Sequence, residues 1–391
     1  MRPLVVTAMT VVSAMGRGAA ETLAALRDRR SCLEPCDFQG ITTGFVGRVA
    51  GVEQHALPPA LARFDCRNNR LADLALGTDG FTTAVRLACE RYGAARIAVV
   101  VGSSTSGILA TEEAYQARDP QTGRLPDSFD YDHTHEMFSL GRFVRAALGL
   151  RGPAMTISTA CASSAQTFID ARHLMEAGLC DAAVVGGADS LCGMTLRGFG
   201  SLELISPVPC APGDAARAGI SIGEAAGFGL LERDGDGIAL VGCGASSDGY
   251  HMSAPHPEAA GAVAAMRAAL ASAGLSAADI DYVNLHGTGT RANDAAEDCA
   301  ILAVFGADTA CSSTKGWTGH PLGASGITQA AIAGLSLRHG LVPGGLNVTT
   351  LDPSFGAKVV LHNVNATVRR VMTNAFGFGG INCSLIFAAG A

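Results

Sequence analysis

Short runs of β-branched and other apolar residues alternate with longer alanine-rich segments along the whole chain. This alternation is typical of α/β proteins, in which helices pack against the faces of a sheet. Several of the runs are apolar throughout, as expected for strands in a sheet that is covered on both faces. The pattern therefore predicts a layered α/β fold with a mainly buried sheet.

The predicted elements can be placed by residue number. Predicted strands cover residues 4–8, 96–101, 182–186, 227–232, 239–246, 282–286, 358–363, 370–374 and 382–387. Predicted helices cover residues 20–29, 68–92, 164–177, 261–273, 294–305 and 325–339. Two proline-containing stretches, residues 111–132 and 206–213, are predicted to be surface loops.

The length of the chain predicts two units. A single hydrophobic core stops growing at roughly 250–300 residues, and this chain has 391. We expect an N-terminal half at residues 1–245 and a C-terminal half at residues 246–391. Only 16% of the residues are charged, against about 25% in a typical soluble domain. Such a low charge content predicts that a partner covers part of the surface.

Charge and cysteine usage exclude several classes of protein. The formal net charge is −7, whereas nucleic-acid-binding proteins are normally basic, so no nucleic-acid partner is predicted. The twelve cysteines contain no CxxC pair, which argues against a zinc site and favours reduced thiols in the cytoplasm.

No part of the sequence predicts insertion into a membrane. No apolar stretch reaches the ~18–20 residues that a transmembrane helix needs. The apolar residues 4–15 superficially resemble a signal peptide, but Thr7, Thr10 and Ser13 interrupt them. We therefore predict that this stretch forms a buried first strand.

One cysteine lies in a setting that suits a nucleophile. Cys161 lies in the sequence TACASS at 159–164, between an extended segment at 155–158 and a predicted helix. A thiol beside a helix N-terminus is favoured as a thiolate by the helix dipole. The alternative is that Cys161 is a small buried apolar residue, as most free cysteines are.

Two histidines lie among glycines, where irregular backbone allows a substrate to come close. His286 lies in NLHGTGT, after a predicted strand, and His320 lies in KGWTGHPLG, before a predicted helix. A lone histidine is more often structural, but two in such settings suggest a Cys–His–His group with Cys161. No P-loop or dinucleotide fingerprint occurs in a strand–turn–helix context, so no organic cofactor is predicted.

The motifs together resemble those of the β-ketoacyl-acyl carrier protein synthases, the condensing enzymes of the thiolase superfamily. The matching stretches are TACASS at 159–164, HGTGT at 286–290, KGWTGHPLGASG at 315–326 and FGFGGIN at 376–382. They occur in the family's order and at its spacing. The resemblance implies a thiolase-like, five-layered αβαβα fold with two similar halves. It also implies an acyltransferase that condenses an enzyme-bound acyl thioester with malonyl-acyl carrier protein, with loss of CO2.

The resemblance assigns catalytic roles to four residues. Cys161 would be the nucleophile, and its backbone N–H and that of Phe378 would form an oxyanion hole. His286 and His320 would donate hydrogen bonds to the malonyl thioester carbonyl and to the enolate oxygen. Lys315 would tune the environment of the histidines rather than attack the substrate.

Further residues would bind the substrate. Thr288 and Thr290 resemble the threonines that hydrogen-bond the phosphopantetheine arm of the carrier. Phe378 resembles the aromatic gate of the acyl pocket, with core packing as the alternative, and Phe376 would also contact the substrate. Thr105 lies roughly where long-chain enzymes carry a bulky residue that limits the acyl chain.

Some positions depart from the family pattern. Gln329 replaces a glutamate that pairs with the family lysine near a bound monovalent cation, and a neutral amide cannot pair with Lys315 in this way. This change makes the cation site doubtful, and no metal is predicted. Gly213 and Ala218 replace a phenylalanine and an aspartate. The departures favour a specialised polyketide or aryl-polyene pathway, while primary fatty acid synthesis stays open.

The family implies an acidic acyl carrier protein as partner, and docking it requires local positive charge. Arg63, Arg67 and Arg70 have the i, i+4, i+7 spacing of one helix face, which we predict to be the docking patch. The alternative is an ordinary solvated face. A homodimer, or a heterodimer with a ketosynthase-like subunit, is also expected.

Two other functions remain open at this point. A chain-length factor is a non-condensing subunit of the same fold, but it typically lacks the nucleophilic cysteine that Cys161 would provide. A thiolase acting on coenzyme A thioesters needs a second catalytic cysteine near the C-terminus. Cys383 lies in the right region for it, but inside a predicted strand.

Overall fold

A computed structural model describes residues 1–390 of the chain. The strands in these residues are β1 Leu4–Ser13, β2 Gly16–Arg17, β3 Glu34–Pro35, β4 Phe45–Gly47, β5 Ile97–Gly102, β6 Ala154–Ile157, β7 Ala182–Asp189, β8 Ile222–Gly223, β9 Ala225–Glu232, β10 Ile238–Ser247, β11 Tyr282–Asn284, β12 Ala310–Ser312, β13 Leu341–Val342, β14 Val364–Asn365, β15 Arg370–Phe376 and β16 Ile381–Ala388. The α-helices are α1 Gly18–Arg27, α2 Arg67–Leu76, α3 Phe81–Tyr92, α4 Ile108–Gln116, α5 Tyr131–Thr134, α6 Ser139–Ala147, α7 Ser163–Glu176, α8 Gly193–Ser201, α9 Ala260–Ala273, α10 Arg291–Phe305, α11 Lys315–Thr318 and α12 Ser325–His339.

The main sheet has the strand order β12-β11-β15-β16-β10-β1-β9-β7-β5-β6. Its two halves join at the antiparallel pair β1–β10. Outward from this joint, each half has two antiparallel pairings followed by two parallel ones. The strands that correspond by position also follow each other in the same order along the chain. The two halves therefore share one topology, as predicted.

Helices α7 and α12 form a layer between the two halves. They correspond to each other, since α7 follows β6 and α12 follows β12. Every residue of α12 from Ser325 to Leu337 is buried, which its composition of small and apolar residues permits. Phe168 of α7 and Ile327 of α12 belong to one core with Val185 of one half and Leu385 of the other.

The outer faces of the sheet carry the remaining long helices. Leu71, Phe81 and Phe143, from α2, α3 and α6, pack with the strands of the N-terminal half. Met266 and Ile301, from α9 and α10, pack with the strands of the C-terminal half. The order of layers is therefore helix, strand, helix, strand, helix, and the predicted fold class is confirmed.

Two predicted elements are wrong. The helix predicted at 68–92 is two helices, α2 and α3, because Asp79 and Gly80 adopt left-handed φ values of 54° and 70° between them. The segment predicted as a strand at 358–363 makes an isolated bridge at Val359. In this bridge, the N–H of Cys311 donates to the carbonyl of Lys358, and the N–H of Val360 donates to the carbonyl of Cys311. The pairing ends there because the carbonyl of Val360 accepts from the N–H of Gly345 instead.

The two predicted surface loops also differ from expectation. The stretch at 111–132 begins inside α4, and it is mostly exposed beyond that helix. Residues 206–213 form a loop that is partly buried. Its Cys210 thiol donates to the carbonyl of Lys315, and the N–H of Gly213 donates to Asp294. This second loop therefore supports the segments that follow β11 and β12.

The division of the chain into halves stays a prediction. β10, the first strand of the second half, runs from Ile238 to Ser247. The predicted division at residue 245 therefore lies within this strand. Among residues 1–390, no helix combines the length and the apolar character that crossing a membrane requires.

Candidate active site

The turn between β6 and α7 holds Cys161 in place. Ala160 has a left-handed φ of 49°, so the chain turns sharply just before the cysteine. Ser163 fixes this turn, because its Oγ accepts from the N–H of Thr159 at 3.0 Å and donates to the carbonyl of Ala160 at 2.6 Å. Cys161 lines a cavity, and the residue is 5% exposed.

The structure brings Cys161 together with both predicted histidines. His320 Nε2 lies 3.1 Å from Cys161 Sγ. The ring of His286 is almost perpendicular to that of His320, at an angle of 80° and a centroid distance of 5.2 Å. The predicted Cys–His–His group is therefore present as a geometric arrangement.

Cys161 and His320 occupy corresponding positions in the two related halves of the fold. Cys161 lies between β6 and α7, and His320 lies between β12 and α12, which is the corresponding connection of the other half. Since α7 and α12 pack side by side in the central layer, their N-terminal ends bring the thiol and the imidazole together.

Buried polar groups hold the His320 loop. The N–H of His320 donates to the carbonyl of Ser221 at 2.7 Å, and its Nδ1 lies 3.1 Å from Ser325 Oγ. Three residues further along, the N–H of Gly323 donates to Asp189 at 2.6 Å. These contacts orient the imidazole so that Nε2 faces the thiol.

A buried carboxylate holds the His286 loop. Glu297 of α10 accepts from the N–H of His286 at 2.8 Å and from the N–H of Gly287 at 2.7 Å. Asn374 donates to the same carboxylate at 3.2 Å and accepts from Ser384 at 2.8 Å. Glu297 therefore links the backbone of the His286 loop to the neighbouring strands β15 and β16.

Lys315 is buried beside His286. Its ammonium donates to the backbone carbonyl of His286, and Nζ lies 3.5 Å from His286 Nδ1. Burial lowers the pKa of Lys315 to about 8, although the negative charge of Glu297 opposes this effect. Burial in turn raises the pKa of Glu297 to about 7. Among the acidic groups, Glu297 therefore has the largest effect on the charge of Lys315, and it was not predicted from the sequence.

The electrostatics favour a neutral thiol and two neutral imidazoles. Burial raises the pKa of Cys161 to about 11, although Lys315 and the backbone N–H of Phe378 partly offset this effect. Burial, and then the charge of Lys315, hold the pKa values of His286 and His320 well below their ordinary range. Burial therefore outweighs the expected effect of the helix N-terminus on the thiol.

The active-site cavity has a volume of about 390 Å³. Cys161, His286 and His320 line it, together with the predicted substrate-binding residues Thr288, Thr290, Phe376 and Phe378. The Phe378 ring packs against Phe199 of α8, with centroids 5.6 Å apart, and this pair closes one side of the cavity. The backbone N–H groups of Phe378 and Cys161 lower the pKa of the Cys161 thiol, against the larger effect of burial. Their role as an oxyanion hole stays a prediction.

Thr105 does not line this cavity, so the predicted chain-length gate is not formed there. Its hydroxyl donates to Asp189 at 2.9 Å, and the residue is 1% exposed. Ser103 and the N–H of Ser104 also donate to Asp189. The loop after β5 therefore wraps around this carboxylate, which directs Thr105 into the protein interior.

The three predicted docking arginines do not lie on one exposed helix face, and docking at this surface stays a prediction. Arg63 lies in a separate 3₁₀ segment, Pro59–Phe64, whereas α2 begins at Arg67. The Arg67 guanidinium is buried and binds Glu224 at 2.7 and 2.9 Å. Arg70 is paired with Asp65. Spacing alone predicted a shared face, but Arg67 points to the interior because Glu224 lies there.

The three residues of the catalytic group could also bind a metal ion. Their ligand atoms all lie within 4.8 Å of one another. The ammonium of Lys315 opposes this, since it lies beside His286 and repels a cation. The absence of a metal stays a prediction.

The structure also places two positions that depart from the family pattern, Gln329 and Ala218, and the candidate second cysteine, Cys383. Gln329 is buried and donates to backbone near His286, so its amide does not pair with Lys315. Ala218 lines the cavity. Cys383 is fully buried in the core, in β16, and does not line the cavity. A second catalytic cysteine of thiolase type is therefore not formed by Cys383.

Three residues that position the group were not predicted from the sequence: Glu297, Ser325 and Asp189. One signal was available for Glu297, because it follows Asp294 by three residues on the helix after HGTGT. Asp294 itself accepts from the N–H groups of Thr288 and Gly289. Two acidic residues on one face of a helix N-terminus are suited to hold a preceding glycine loop.

The chain matches two family models. The model described as "Beta-ketoacyl synthase, N-terminal domain" matches residues 1–237, and the model "Beta-ketoacyl synthase, C-terminal domain" matches residues 238–349. Among curated relatives, Nodulation protein E of Rhizobium meliloti (strain 1021) is 32% identical over 99% of each chain. The 3-oxoacyl-[acyl-carrier-protein] synthase 2 of Vibrio cholerae is also 32% identical, over 99% of each chain.

A solved structure is similar over the whole chain. It is the ketosynthase (ApeO) in complex with its chain length factor (ApeC) from Xenorhabdus doucetiae. One chain of that complex has a TM-score of 0.91 and 38% sequence identity, and the match covers 100% of the present chain and 98% of the other. The chain is therefore similar to this solved structure in both sequence and fold over its full length.

Proposed function

Since this chain belongs to the β-ketoacyl synthase family, we propose that Cys161, His286 and His320 carry out its condensing reaction. The chain is an acyltransferase of the condensing type. One observation carries the assignment of residues: His320 Nε2 lies 3.1 Å from Cys161 Sγ, with His286 beside it in the same cavity. The thiol and two neutral imidazoles are the groups that acyl transfer and enolate formation need.

In the first half-reaction, the sulfur of Cys161 attacks the carbonyl of the acyl thioester on the carrier. Because the thiol is protonated in the free protein, His320 Nε2 accepts its proton as the S–C bond forms. The N–H groups of Cys161 and Phe378 stabilise the oxyanion. When the intermediate collapses, the carrier sulfur leaves and takes the proton from His320, so that an acyl-Cys161 thioester remains.

Ser325 lets His320 act in both half-reactions. A hydroxyl both donates and accepts hydrogen bonds, so Ser325 Oγ can accept from Nδ1–H or donate to a bare Nδ1. In the first case Nε2 is free to accept the thiol proton. In the second case Nε2 carries a hydrogen and donates to a substrate oxygen. The tautomer can therefore change while the ring stays neutral.

In the second half-reaction, malonyl-acyl carrier protein loses CO2. The electron pair of the broken C–C bond passes to the thioester oxygen, and the N–H groups of His286 and His320 stabilise the resulting enolate. Each donor of this kind is worth roughly 3–4 kcal/mol of transition-state stabilisation. The enolate carbon then attacks the acyl-Cys161 carbonyl, so that a new C–C bond forms while the thioester carbonyl of the carrier re-forms. When the tetrahedral intermediate collapses, the C–S bond to Cys161 breaks, and the thiolate that leaves takes up a proton from solvent.

Lys315 supports the neutral state of both histidines. Their burial and its charge disfavour imidazolium, so both rings are neutral in the resting site and when malonyl-carrier is bound. The imidazolium that His320 forms in the first half-reaction is therefore short-lived and returns its proton to the leaving sulfur. The hydrogen bond from Lys315 to the carbonyl of His286 also holds that loop. We assign Lys315 a positioning role.

The chain-length-factor alternative is less well supported. Such a subunit needs no reactive thiol, whereas Cys161 is held at a strained turn, beside an imidazole and facing a cavity. The thiolase alternative lacks its second thiol, since Cys383 is in the core. A condensing ketosynthase fits the arrangement better than either.

Mass spectrometry tests the proposal directly. The protein is incubated with an acyl-carrier thioester and then with malonyl-carrier, and the acylated peptide, CO2 and product are measured. We expect acylation of Cys161, followed by loss of the acyl group as CO2 is released. Acylation at another residue, or no CO2 release, would overturn the assignment.

Two variants sharpen this test. Cys161→Gln should abolish acylation and condensation, while malonyl decarboxylation can persist because both histidines remain. Cys299→Ala is the matched control, because this thiol is exposed and lies outside the cavity. Its acylation and product yield should equal those of the wild type.

We further propose a heterodimeric ketosynthase in a specialised polyketide or aryl-polyene pathway, in the cytoplasm, with acyl carrier protein as substrate carrier. The heterodimer is supported by the similar chain solved together with a chain length factor. Reduced surroundings are supported by the free state of all twelve cysteines within residues 1–390. A panel of acyl-carrier thioesters of graded length and unsaturation would distinguish this pathway from primary fatty acid synthesis.

A further inference from the structure

Gln329 lies where three oxygen atoms converge. Its Nε2 donates to the carbonyl of Leu285 at 2.9 Å, and to the carbonyl and the side-chain oxygen of Asn284 at 3.3 Å each. The residue is 3% exposed and lies in the middle layer, on α12. Backbone carbonyls can only accept hydrogen bonds, so the nitrogen of the amide, rather than its oxygen, must face them.

The residues at this position do not fit a monovalent cation. Hard cations need several oxygen ligands, and a buried one needs a compensating negative charge. Here an N–H donor already occupies the point at which the oxygens of Asn284 and Leu285 converge. The carboxylate of Glu297 does not supply this negative charge, because it already accepts hydrogen bonds from the N–H groups of His286 and Gly287. A neutral amide in place of the family glutamate leaves the bound cation without its charge partner.

We propose that the Gln329 amide takes the structural place of the monovalent cation, so that this protein holds its His286 loop without any bound ion. The N–H groups of the amide satisfy the same kind of carbonyl oxygens that a cation would bind. The inference concerns the folded protein and does not depend on the proposed condensing reaction.

The position of Gln329 on α12 explains why this contact matters. Asn284 and Leu285 directly precede His286, while α12 begins five residues after His320. One helix therefore carries the connection to His320 at its N-terminus and the amide that holds the His286 segment one turn later. Gln329 is a positioning residue that fixes the distance between the two imidazoles.

Thermal unfolding of the full chain tests the proposal. Tm is measured during titrations with KCl, NaCl and choline chloride at constant ionic strength. We expect the same Tm for the wild type in all three salts, because no cation site exists to be filled. A saturable rise of roughly 2 °C or more with K⁺ or Na⁺ over choline would show a bound ion and overturn the proposal.

The variant Gln329→Glu provides the converse test. At a pH of about 8.5, well above the ordinary pKa of glutamate, its carboxylate would face the backbone carbonyls of Asn284 and Leu285 and be repelled by them, even if the Asn284 side chain turns to donate to it. We expect Tm to fall in choline chloride and to recover saturably with K⁺ or Na⁺. A folded Gln329→Glu protein with equal Tm in all three salts would count against the proposal. If this variant does not fold in any salt, the wild-type titration decides the question.

Gln329→Met separates the positioning role from bulk packing. It keeps a similar volume but removes both N–H donors, so we expect kcat to fall several-fold with KM for malonyl-carrier unchanged, and no rescue by any cation. Ser336→Ala, on the same buried helix and away from the cavity, is the control, and its kcat should equal that of the wild type. A Gln329→Met protein with wild-type kcat would contradict the positioning role.

Discussion

Burial determines the protonation of the reactive thiol, which makes the pair of Cys161 and His320 neutral. The pKa of Cys161 is raised to about 11, and that of His320 is held well below its ordinary range. Alkylation by iodoacetamide follows the fraction of thiolate. Its rate should therefore rise about tenfold per pH unit between about pH 6 and 8, as expected below the pKa of a titrating group.

The measurement is the rate of alkylation at Cys161, followed by intact-protein and peptide mass spectrometry. Cys161→Ala corrects for the other thiols. A rate that is already constant from about pH 6 upward would reveal a thiolate–imidazolium ion pair, contrary to the pKa shifts described above.

Glu297 should control the titration of Lys315. Its negative charge raises the pKa of Lys315 against the effect of burial. In Glu297→Gln that charge is absent, so Lys315 loses its proton at a lower pH, and the alkaline limb of the kcat–pH profile should move to lower pH. The variant should also lose a charge-assisted hydrogen bond, worth about 1.5–3 kcal/mol of stability. An alkaline limb that stays in place, with only Tm reduced, would limit Glu297 to a structural role.

The three residues that come together in the cavity could be predicted from the sequence, whereas the residues that hold them in place could not. Cys161, His286 and His320 lie in glycine-rich motifs whose local pattern is distinctive. Asp189 acts through a contact between distant segments, so no local pattern marks it. Ser325 lies only five residues after His320, but the sequence does not show that its hydroxyl meets the imidazole. The exposed position predicted for Arg67 was wrong, because helical spacing does not reveal which face of a helix is turned inward.

Elements were predictable where apolar character was continuous. β5, β7 and β9 are buried along their whole length, and their apolar runs indicated them. The short strand β12 was missed because three residues carry too little pattern. The break between α2 and α3 was missed because apolar periodicity continues on both sides of the turn at Asp79 and Gly80.

The close packing of α7 and α12 predicts a contrast between two glycines of one helix. A Cβ at Gly326 would lie 2.4 Å from the backbone nitrogen of Ala165 and 2.6 Å from its Cβ. Gly326→Ala should therefore force the two helices apart and destabilise the protein by about 1–3 kcal/mol. Since this packing also sets the positions of Cys161 and His320, kcat should fall as well.

Gly334→Ala on the same helix is the matched control. A Cβ there would meet only the terminal methyl of Ile238, at 3.2 Å. The Ile238 side chain can move by a few tenths of an ångström to relieve that contact, and alanine favours a helix over glycine by up to about 1 kcal/mol. We therefore expect little or no loss of stability in Gly334→Ala. Urea unfolding of both variants decides the comparison, and equal losses of stability would contradict the proposed role of the close contact.

Burial predicts a second contrast, between Arg67 at the start of α2 and Arg63 in the 3₁₀ segment before it. Arg67→Met leaves the buried carboxylate of Glu224 without its guanidinium partner, which should cost about 3–5 kcal/mol. Arg63 is largely exposed, so Arg63→Met should change stability by no more than ~0.5 kcal/mol. Chemical denaturation measures the loss of stability in both variants. A loss for Arg67→Met as small as that for Arg63→Met would show that water reaches Glu224.

At the scale of the whole molecule, the low content of charged residues and the pairing of the edge strands indicate that one edge of the main sheet is open to a partner. The edge strand β12 is covered, because Lys358 and Val360 bond to it. At the other end, β6 has no strand beyond it among residues 1–390. Its sequence, Ala-Met-Thr-Ile, carries no charge. An uncharged open edge is a template for pairing with another chain, so β6 is where we expect the dimer partner to bind.

A substitution at Thr156 tests this interface without disturbing the sheet inside the chain. The carbonyls of Pro153 and Ile157 accept from β5, so by alternation the backbone groups of Thr156 point away from β5. Thr156→Pro therefore removes an outward N–H, which an edge strand tolerates. We expect this variant to fold with a Tm close to that of the wild type, but to elute as a monomer in size-exclusion chromatography, alone and after co-expression with a ketosynthase-like subunit. Thr156→Val keeps the N–H and should remain dimeric, whereas unchanged elution of Thr156→Pro would place the partner elsewhere on the surface.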